Sequence, residues 1–235
     1  MLLRVENIDT YYGLSHVLQD VSLEVDKDEI VTLVGRNGAG KTTTLKSILG
    51  ITPVSSGRVL FKDEDISTLP THLIVQRGIA YVPEERRIIP GLSVRENLKL
   101  ALLKSKNRDR EDEMIDRAGK YFPVLHDRLS QEGALLSGGE QQMLAIARCL
   151  VTDPDVMLID EPTEGLMPLL VEIIGEMIQT INREGVTILL VEQNMEMALS
   201  ISQRAYVMDE GRIQSFGPAQ EILADEEIQR RYLSV

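Results

Sequence analysis

The sequence predicts an α/β fold: a mainly parallel sheet covered by helices, an antiparallel β part at the N-terminus and a helical segment inserted in the core. Three observations carry this expectation. Residues 3–8 and 17–25 alternate apolar and polar side chains, the period of half-buried antiparallel strands. Residues 78–82, 155–160 and 186–191 are instead continuously apolar, which fits parallel strands covered on both faces. Between these groups, a glycine-rich loop at 35–42 joins an apolar run at 30–34 to a stretch with helical character.

Taken in order, the two alternating segments form the antiparallel part, and 30–34 is the strand that feeds the glycine loop and the helix after it. Residues 78–82 supply the next buried strand. From roughly Ile88 to Leu136 the pattern turns helical, interrupted by the charged stretch 104–113, which reads as a solvated turn or helix face. Ser137 opens a long helical pattern through Arg148, so the helical subdomain spans about 88–149. The strands at 155–160 and 186–191 follow. A helix near 195–202 leads to a hairpin of 204–208 and 212–216, joined through Asp209-Glu210-Gly211. With no internal repeat, low-complexity tract or Pro/Gly/Ser linker, residues 1–235 read as a single domain whose nucleotide-binding core comprises about 1–87 and 150–235.

Composition narrows the function classes. At 235 residues and 43% hydrophobic, the chain can bury a substantial core, and no apolar run reaches the roughly 18 to 20 residues that a bilayer span needs. The start, Met1-Leu2-Leu3-Arg4-Val5-Glu6, puts charges where a signal peptide has its apolar segment, so a cytoplasmic location is expected. A net charge of −12 argues against nucleic acid as the main partner. The single cysteine, Cys149, reads as a buried helix position, and His16, His72 and His126 are too scattered for a metal cluster.

The chemistry begins at Gly35-Arg36-Asn37-Gly38-Ala39-Gly40-Lys41-Thr42, a G-x-x-x-x-G-K-[ST] string between a strand and a helix. Its glycines let successive N–H groups turn inward, so a di- or triphosphate is held by amide dipoles and a helix N-terminus. Lys41 adds a positive charge for the outer phosphates, Thr42 offers its hydroxyl to Mg2+, and Thr43 continues the cradle. A second signal is the pair Asp160-Glu161 at the end of a buried strand, where an open α/β sheet binds ligands. Asp160 suits the metal, and Glu161 suits deprotonation of a water for in-line attack on the γ-phosphate. A third is Ser137-Gly138-Gly139-Glu140, a capped helix start that exposes amides to a second anion. Read alone, it is an ordinary cap and turn.

Together, the loop at 35–42, the string Leu136-Ser137-Gly138-Gly139-Glu140 and the strand end Asp160-Glu161-Pro162-Thr163 resemble the ATP-binding subunit of ABC transporters from about residue 3 to the C-terminus. The resemblance implies a P-loop NTPase core, ATP and Mg2+ as ligands, and a head-to-tail dimer. In that dimer the glycine loop of one subunit and the Ser137 segment of the other close over one ATP. It further implies an adenine-stacking role for Tyr12, a metal- and partner-sensing position at Glu84, and a γ-phosphate switch position at Gln193. Three departures from the family pattern stand out: Glu84 replaces the usual glutamine, Gln193 the usual histidine and Met167 the usual aspartate. Gln193 can donate a hydrogen bond but cannot become cationic.

The strings Pro83-Glu84-Glu85-Arg86-Arg87, Gly165-Leu166-Met167-Pro168 and Val191-Glu192-Gln193-Asn194 look like the ATPases that drive uptake of branched-chain amino acids, with urea or short amides as the alternative cargo. The partners this implies are transmembrane permease subunits, an identical or similar second ATPase, and indirectly an external solute-binding protein, with the chain peripheral on the inner face of the membrane. The basic and apolar segment 86–92 is the candidate docking surface. Two other readings stand beside transport: a soluble ABC ATPase acting on DNA or ribosomes, and a regulatory module that hydrolyses ATP poorly.

Overall fold

In the computed structural model, which describes residues 1–103 and 105–233, two sheets share one molecule and helices fill the remaining layer. Lys104 of the predicted charged turn, and Ser234 and Val235 of the predicted core, lie outside the described residues. The first sheet begins with β1 (Leu3–Tyr12) and β2 (Ser15–Val25), paired antiparallel with Leu3 opposite Val25 and Tyr12 opposite Ser15. Both strands run further than the alternation at 3–8 and 17–25 indicates. The pairing shifts register around Ile8 and Thr10, and these irregularities blur the period of two.

The strand β3 (Ile30–Val34) enters the second sheet, and α1 (Lys41–Ile48) follows its glycine loop. The chain then returns to the first sheet as β4 (Val54–Phe61) and the short β5 (Glu64–Asp65), and a turn of helix, α2 (Thr71–Gln76), leads back. The first sheet has the order β2-β1-β4-β5. Sequence patterning did not reveal β4 because only its second half, Val59, Leu60 and Phe61, is buried, while Ser55 to Arg58 lies exposed without an apolar face.

The second sheet is completed by β6 (Ile79–Val82), β7 (Val156–Asp160), β8 (Thr187–Glu192), β9 (Arg204–Asp209) and β10 (Arg212–Pro218), in the order β10-β9-β3-β8-β7-β6. All neighbours are parallel except the expected β9–β10 hairpin. The continuous apolar runs follow from two cores that share these strands. Ile30, Val34, Met157, Ile159, Ile188 and Leu190 point to one side. The residues between them, Val31, Leu33, Val156, Leu158, Leu189 and Val191, point to the other. The second core is closed by β1, β2, β4 and α1; the first is closed by the helices.

Those helices are α3 (Val94–Leu102), α4 (Glu111–Tyr121), α5 (Pro123–His126), α6 (Gly138–Leu150), α7 (Pro168–Arg183), α8 (Met195–Ile201) and α9 (Ala219–Ala224). Ser93 and Glu96 start α3 with a reciprocal capping box. The helical pattern expected from Ile88 begins later: residues 83–92 are irregular, held by the buried Asn97 side chain, which accepts from the Ile89 amide and donates to the Leu92 and Ser93 carbonyls. The charged stretch divides into a 3-10 turn at Arg108–Arg110 and the first turn of α4, where Glu111, Asp112 and Glu113 complement the helix N-terminus.

Candidate active site

Strand register brings the chemistry to one edge of the sheet. Val34, the last residue of β3, lies opposite Glu192 of β8, and Asp160 of β7 lies opposite Val191. The glycine loop, Glu192 and the Asp160-Glu161 pair therefore emerge side by side at the carboxyl ends of adjacent parallel strands. Two glycines are required by the loop's path. A Cβ on Gly35 would stand 2.2 Å from the Met208 carbonyl oxygen, and Gly40 precedes α1 with φ 111°, a left-handed conformation that disfavours side chains.

The loop closes around its own lysine. Lys41 is 4% exposed, and its Nζ donates to the Gly35 and Arg36 carbonyl oxygens at 3.0 and 3.2 Å and pairs with Glu161 Oε1 at 3.1 Å. Beside it, the Thr42 hydroxyl donates to Asp160 Oδ1 and the Tyr81 hydroxyl to Asp160 Oδ2, each at 2.9 Å. Burial pushes the Asp160 carboxyl above its ordinary pKa, the two hydroxyl donors oppose this, and the Glu161 charge adds to it. Desolvation and the Asp160 charge likewise raise Tyr81, which stays a neutral donor.

A cavity of 410 Å³ opens over this arrangement, lined by Asn37, Gly38, Gly40, Lys41, Thr42 and Thr43 of the loop and α1, and by Val17, Glu84, Glu161 and Glu164. Two larger concavities, of 630 and 660 Å³, lie elsewhere. Volume does not mark the site; convergent amides, an ammonium group and carboxylates do.

Of the predicted residues, the structure gathers the loop, Asp160, Glu161 and Glu84. It does not bring residues 137–140 to this cavity. Ser137 caps α6, accepting from the Glu140 amide at 3.4 Å while its own amide donates to Glu140 Oε2 at 2.9 Å, which lowers the Glu140 pKa. Arg86 reaches this helix, donating to Gln142 Oε1 at 3.2 Å. Tyr12 ends β1 half exposed, its hydroxyl 3.0 Å from Thr52 Oγ1, so it is not a core residue of the strand. Gln193 is exposed just beyond β8. Cys149 is partly buried, its thiol donating to the Tyr81 carbonyl and its pKa pushed up to about 12 by desolvation, as befits an unreactive helix position.

Three contributors escaped the sequence reading: Tyr81, Glu164 and Glu192. Glu192 carried the same signal as Asp160, a carboxylate ending an apolar strand. Tyr81 carried a weaker one, a hydroxyl inside a buried run.

A family model described as ABC transporter matches residues 18–164. The chain belongs to the ABC transporter family. Over 232 residues, it is 42% identical to the high-affinity branched-chain amino acid transport ATP-binding protein BraG of Pseudomonas aeruginosa, covering 99% of both chains. It is 39% identical over 234 residues to the lipopolysaccharide export system ATP-binding protein LptB of Escherichia coli K12, covering 98% of this chain and 96% of that one. Among solved structures, an ATP-binding cassette of an ABC transporter in its ADP conformation superposes with a TM-score of 0.85 at 28% identity, covering 97% of each chain. This ABC transporter subunit is an α/β P-loop NTPase and an ATPase. Among the described residues, no helix is long and apolar enough to cross a membrane.

Proposed function

We propose that this ABC transporter ATPase powers the uptake of branched-chain amino acids, working on the inner face of the membrane as one of two paired ATPases docked on separate permease subunits. The observation that carries the ATPase chemistry is the buried Lys41 ammonium, held by two loop carbonyls and Glu161 beside the Thr42–Asp160 pair. An incoming triphosphate has the same sign as Glu161 and carries more charge than the carboxylate or the carbonyl lone pairs, so it competes for the ammonium and Lys41 turns from them to the β- and γ-oxygens. Released from Lys41, Glu161 is free to accept a proton from the attacking water. Loop amides and the α1 N-terminus hold the remaining phosphate charge in place, which is where most of the catalytic benefit arises. Gln193 donates to the γ-phosphate, Tyr12 stacks on adenine, and Ser137, Gly138, Gly139 and Glu140 present the second helix end to the nucleotide of the partner.

The residues present fit Mg2+. Among the described residues, no group of three or more His, Cys, Asp or Glu side chains forms a metal cage. Mg2+ characteristically takes one or two protein oxygens and completes its shell with water and phosphate. Thr42 and Asp160, with Glu84 at the cavity wall, would hold it, and it would supply charge neutralisation at a site that otherwise sets Glu84, Glu161 and Glu164 against a triphosphate.

Branched-chain amino acids as cargo are supported by the 42% identity with BraG over the whole chain and by the strings at 83–87, 165–168 and 191–194. Lipopolysaccharide export is the second reading, supported by the 39% identity with LptB. For the permease seat, Ile88 is partly buried against the helical core, so it serves packing and weakens segment 86–92 as the docking surface. The 630 Å³ concavity between α2 and the end of α3, walled by Val75, Ile79, Ala101 and Pro154, is the better seat for a permease segment. Purifying the tagged chain from native membranes and identifying its membrane partners tests this. Amino-acid permeases, and ATP-driven leucine uptake by vesicles holding the complex, are the expected result. Partners that extract lipopolysaccharide replace this reading with the second one.

A further inference from the structure

Glu192 ends β8 with a carboxylate that the nucleotide chemistry above does not employ. It is 2% exposed. One oxygen, Oε1, accepts from the Thr163 amide at 3.0 Å and the Thr163 hydroxyl at 2.7 Å. The other, Oε2, accepts from the amides of Gln193 and Asn194, both at 3.0 Å. All four partners donate, so both oxygens must accept, a demand that a carboxylate meets and an amide does not. Thr163 stands two residues after Glu161, whose own amide donates to the Val191 carbonyl at 2.8 Å. A single buried side chain thus joins the backbone that carries the base to the backbone that carries the γ-phosphate donor. Burial raises the Glu192 pKa, and its hydrogen bonds counter that rise.

We propose that Glu192 is a positioning residue for ATP hydrolysis: it latches the Thr163 segment to the Gln193–Asn194 loop, so that the Glu161 carboxylate and the Gln193 amide are oriented together. The latch acts through Gln193 on one side and, on the other, through Thr163 and the backbone that runs back from it to Glu161. It rests on the ATPase reading above.

The test is a double-mutant cycle on the assembled transporter. Glu192→Gln turns an N–H group toward one pair of donors and opens half of the latch. The expected result is a fall in kcat of about tenfold or more with KM for ATP within about twofold, since misplacement of catalytic groups affects the chemical step. In a Gln193→Ala background, the same change should cost less than about twofold more, the signature of two residues acting as one unit. Thr163→Val, which removes the hydroxyl donor alone, gives a smaller fall and covers the case in which Glu192→Gln does not fold. Hydrogen exchange of the nucleotide-free protein gives a readout that needs no turnover: protection is lost at Gln193 and Asn194 and kept in β3 and β7. Wild-type kcat in Glu192→Gln, full multiplicative effects in the cycle, or protection lost across the whole fold each overturns the latch. A wild-type complex without ATP turnover instead overturns the ATPase reading, and the exchange pattern then shows separately whether the latch exists.

Discussion

The helix N-termini of α1 and α6 are the two proposed phosphate contacts, and they differ in how much of the surrounding site the chain itself supplies. The start of α1 is enclosed: Lys41 is buried, Glu161 is 8% exposed, and Asp160 sits behind Thr42. The start of α6 is open. Ser137 and Gly138 are exposed, the Ser137–Glu140 capping box satisfies the helix end, and no residue of 137–140 lines the 410 Å³ cavity. One site is therefore finished within the chain except for its ligand, while the other is an exposed helix start that no cavity of the described residues encloses. That asymmetry is what the proposed head-to-tail pairing requires, because each nucleotide would then lie between an enclosed half and an open half.

The sharpest way to break the comparison is at Glu161. In Glu161→Gln the side chain still fills its place but cannot take a proton, so turnover should fall by about 10² to 10⁴ while ATP affinity stays within about twofold. Paired subunits should accumulate with ATP, visible by size-exclusion chromatography. Turnover near that of the wild type would mean that the enclosed half does not contain the base. Next in size is Lys41→Ala. Removing a charged donor should weaken ATP binding by roughly 10- to 100-fold, in keeping with about 1.5–3 kcal/mol for charge-assisted hydrogen bonds. Calorimetric titration of single subunits checks this, and unchanged affinity would remove Lys41 from the phosphate cradle.

The open half predicts a different pattern. Ser137→Ala removes the α6 cap at a stability cost of about 1 kcal/mol, read as a lower Tm. It should leave the ATP affinity of a single subunit unchanged, yet lower the turnover of the paired form. A loss of single-subunit affinity would place Ser137 in the same site as Lys41 and abolish the distinction between the halves.

The same contrast explains what was legible in the sequence. The enclosed half is local: eight consecutive residues with fixed backbone demands carry most of it, and an acidic strand end carries the rest. The central strands were equally legible because burial on both faces makes every position apolar, as in Val156 to Ile159. What was missed depends on contacts between distant segments. The hydroxyl of Tyr81 matters only because β6 lies beside β7, and Glu192 only because Thr163 folds back onto the end of β8. In β4, four exposed residues hide the strand, and its pairing with β1 supplies what its own pattern lacks.

The smallest expected effect concerns the cost of keeping the enclosed half charged. Burial holds the Asp160 pKa above its ordinary value, so the folded protein binds this proton more tightly than the unfolded chain does. Well below its ordinary value, under about pH 3, the group is protonated in both states and costs nothing; stability is lost as pH rises from the ordinary value through the folded one, and the loss is complete above it. Asp160→Asn keeps an oxygen for one hydroxyl and offers an N–H to the other, so Thr42 and Tyr81 remain partnered without a buried charge. In nucleotide-free protein the Tm of Asp160→Asn should therefore exceed that of the wild type at neutral pH, and the gap should narrow toward pH 4. A variant less stable than the wild type at neutral pH would show that the hydroxyl donors outweigh desolvation, making Asp160 a structural anchor of the enclosed half rather than a charge held there at a cost for its ligand.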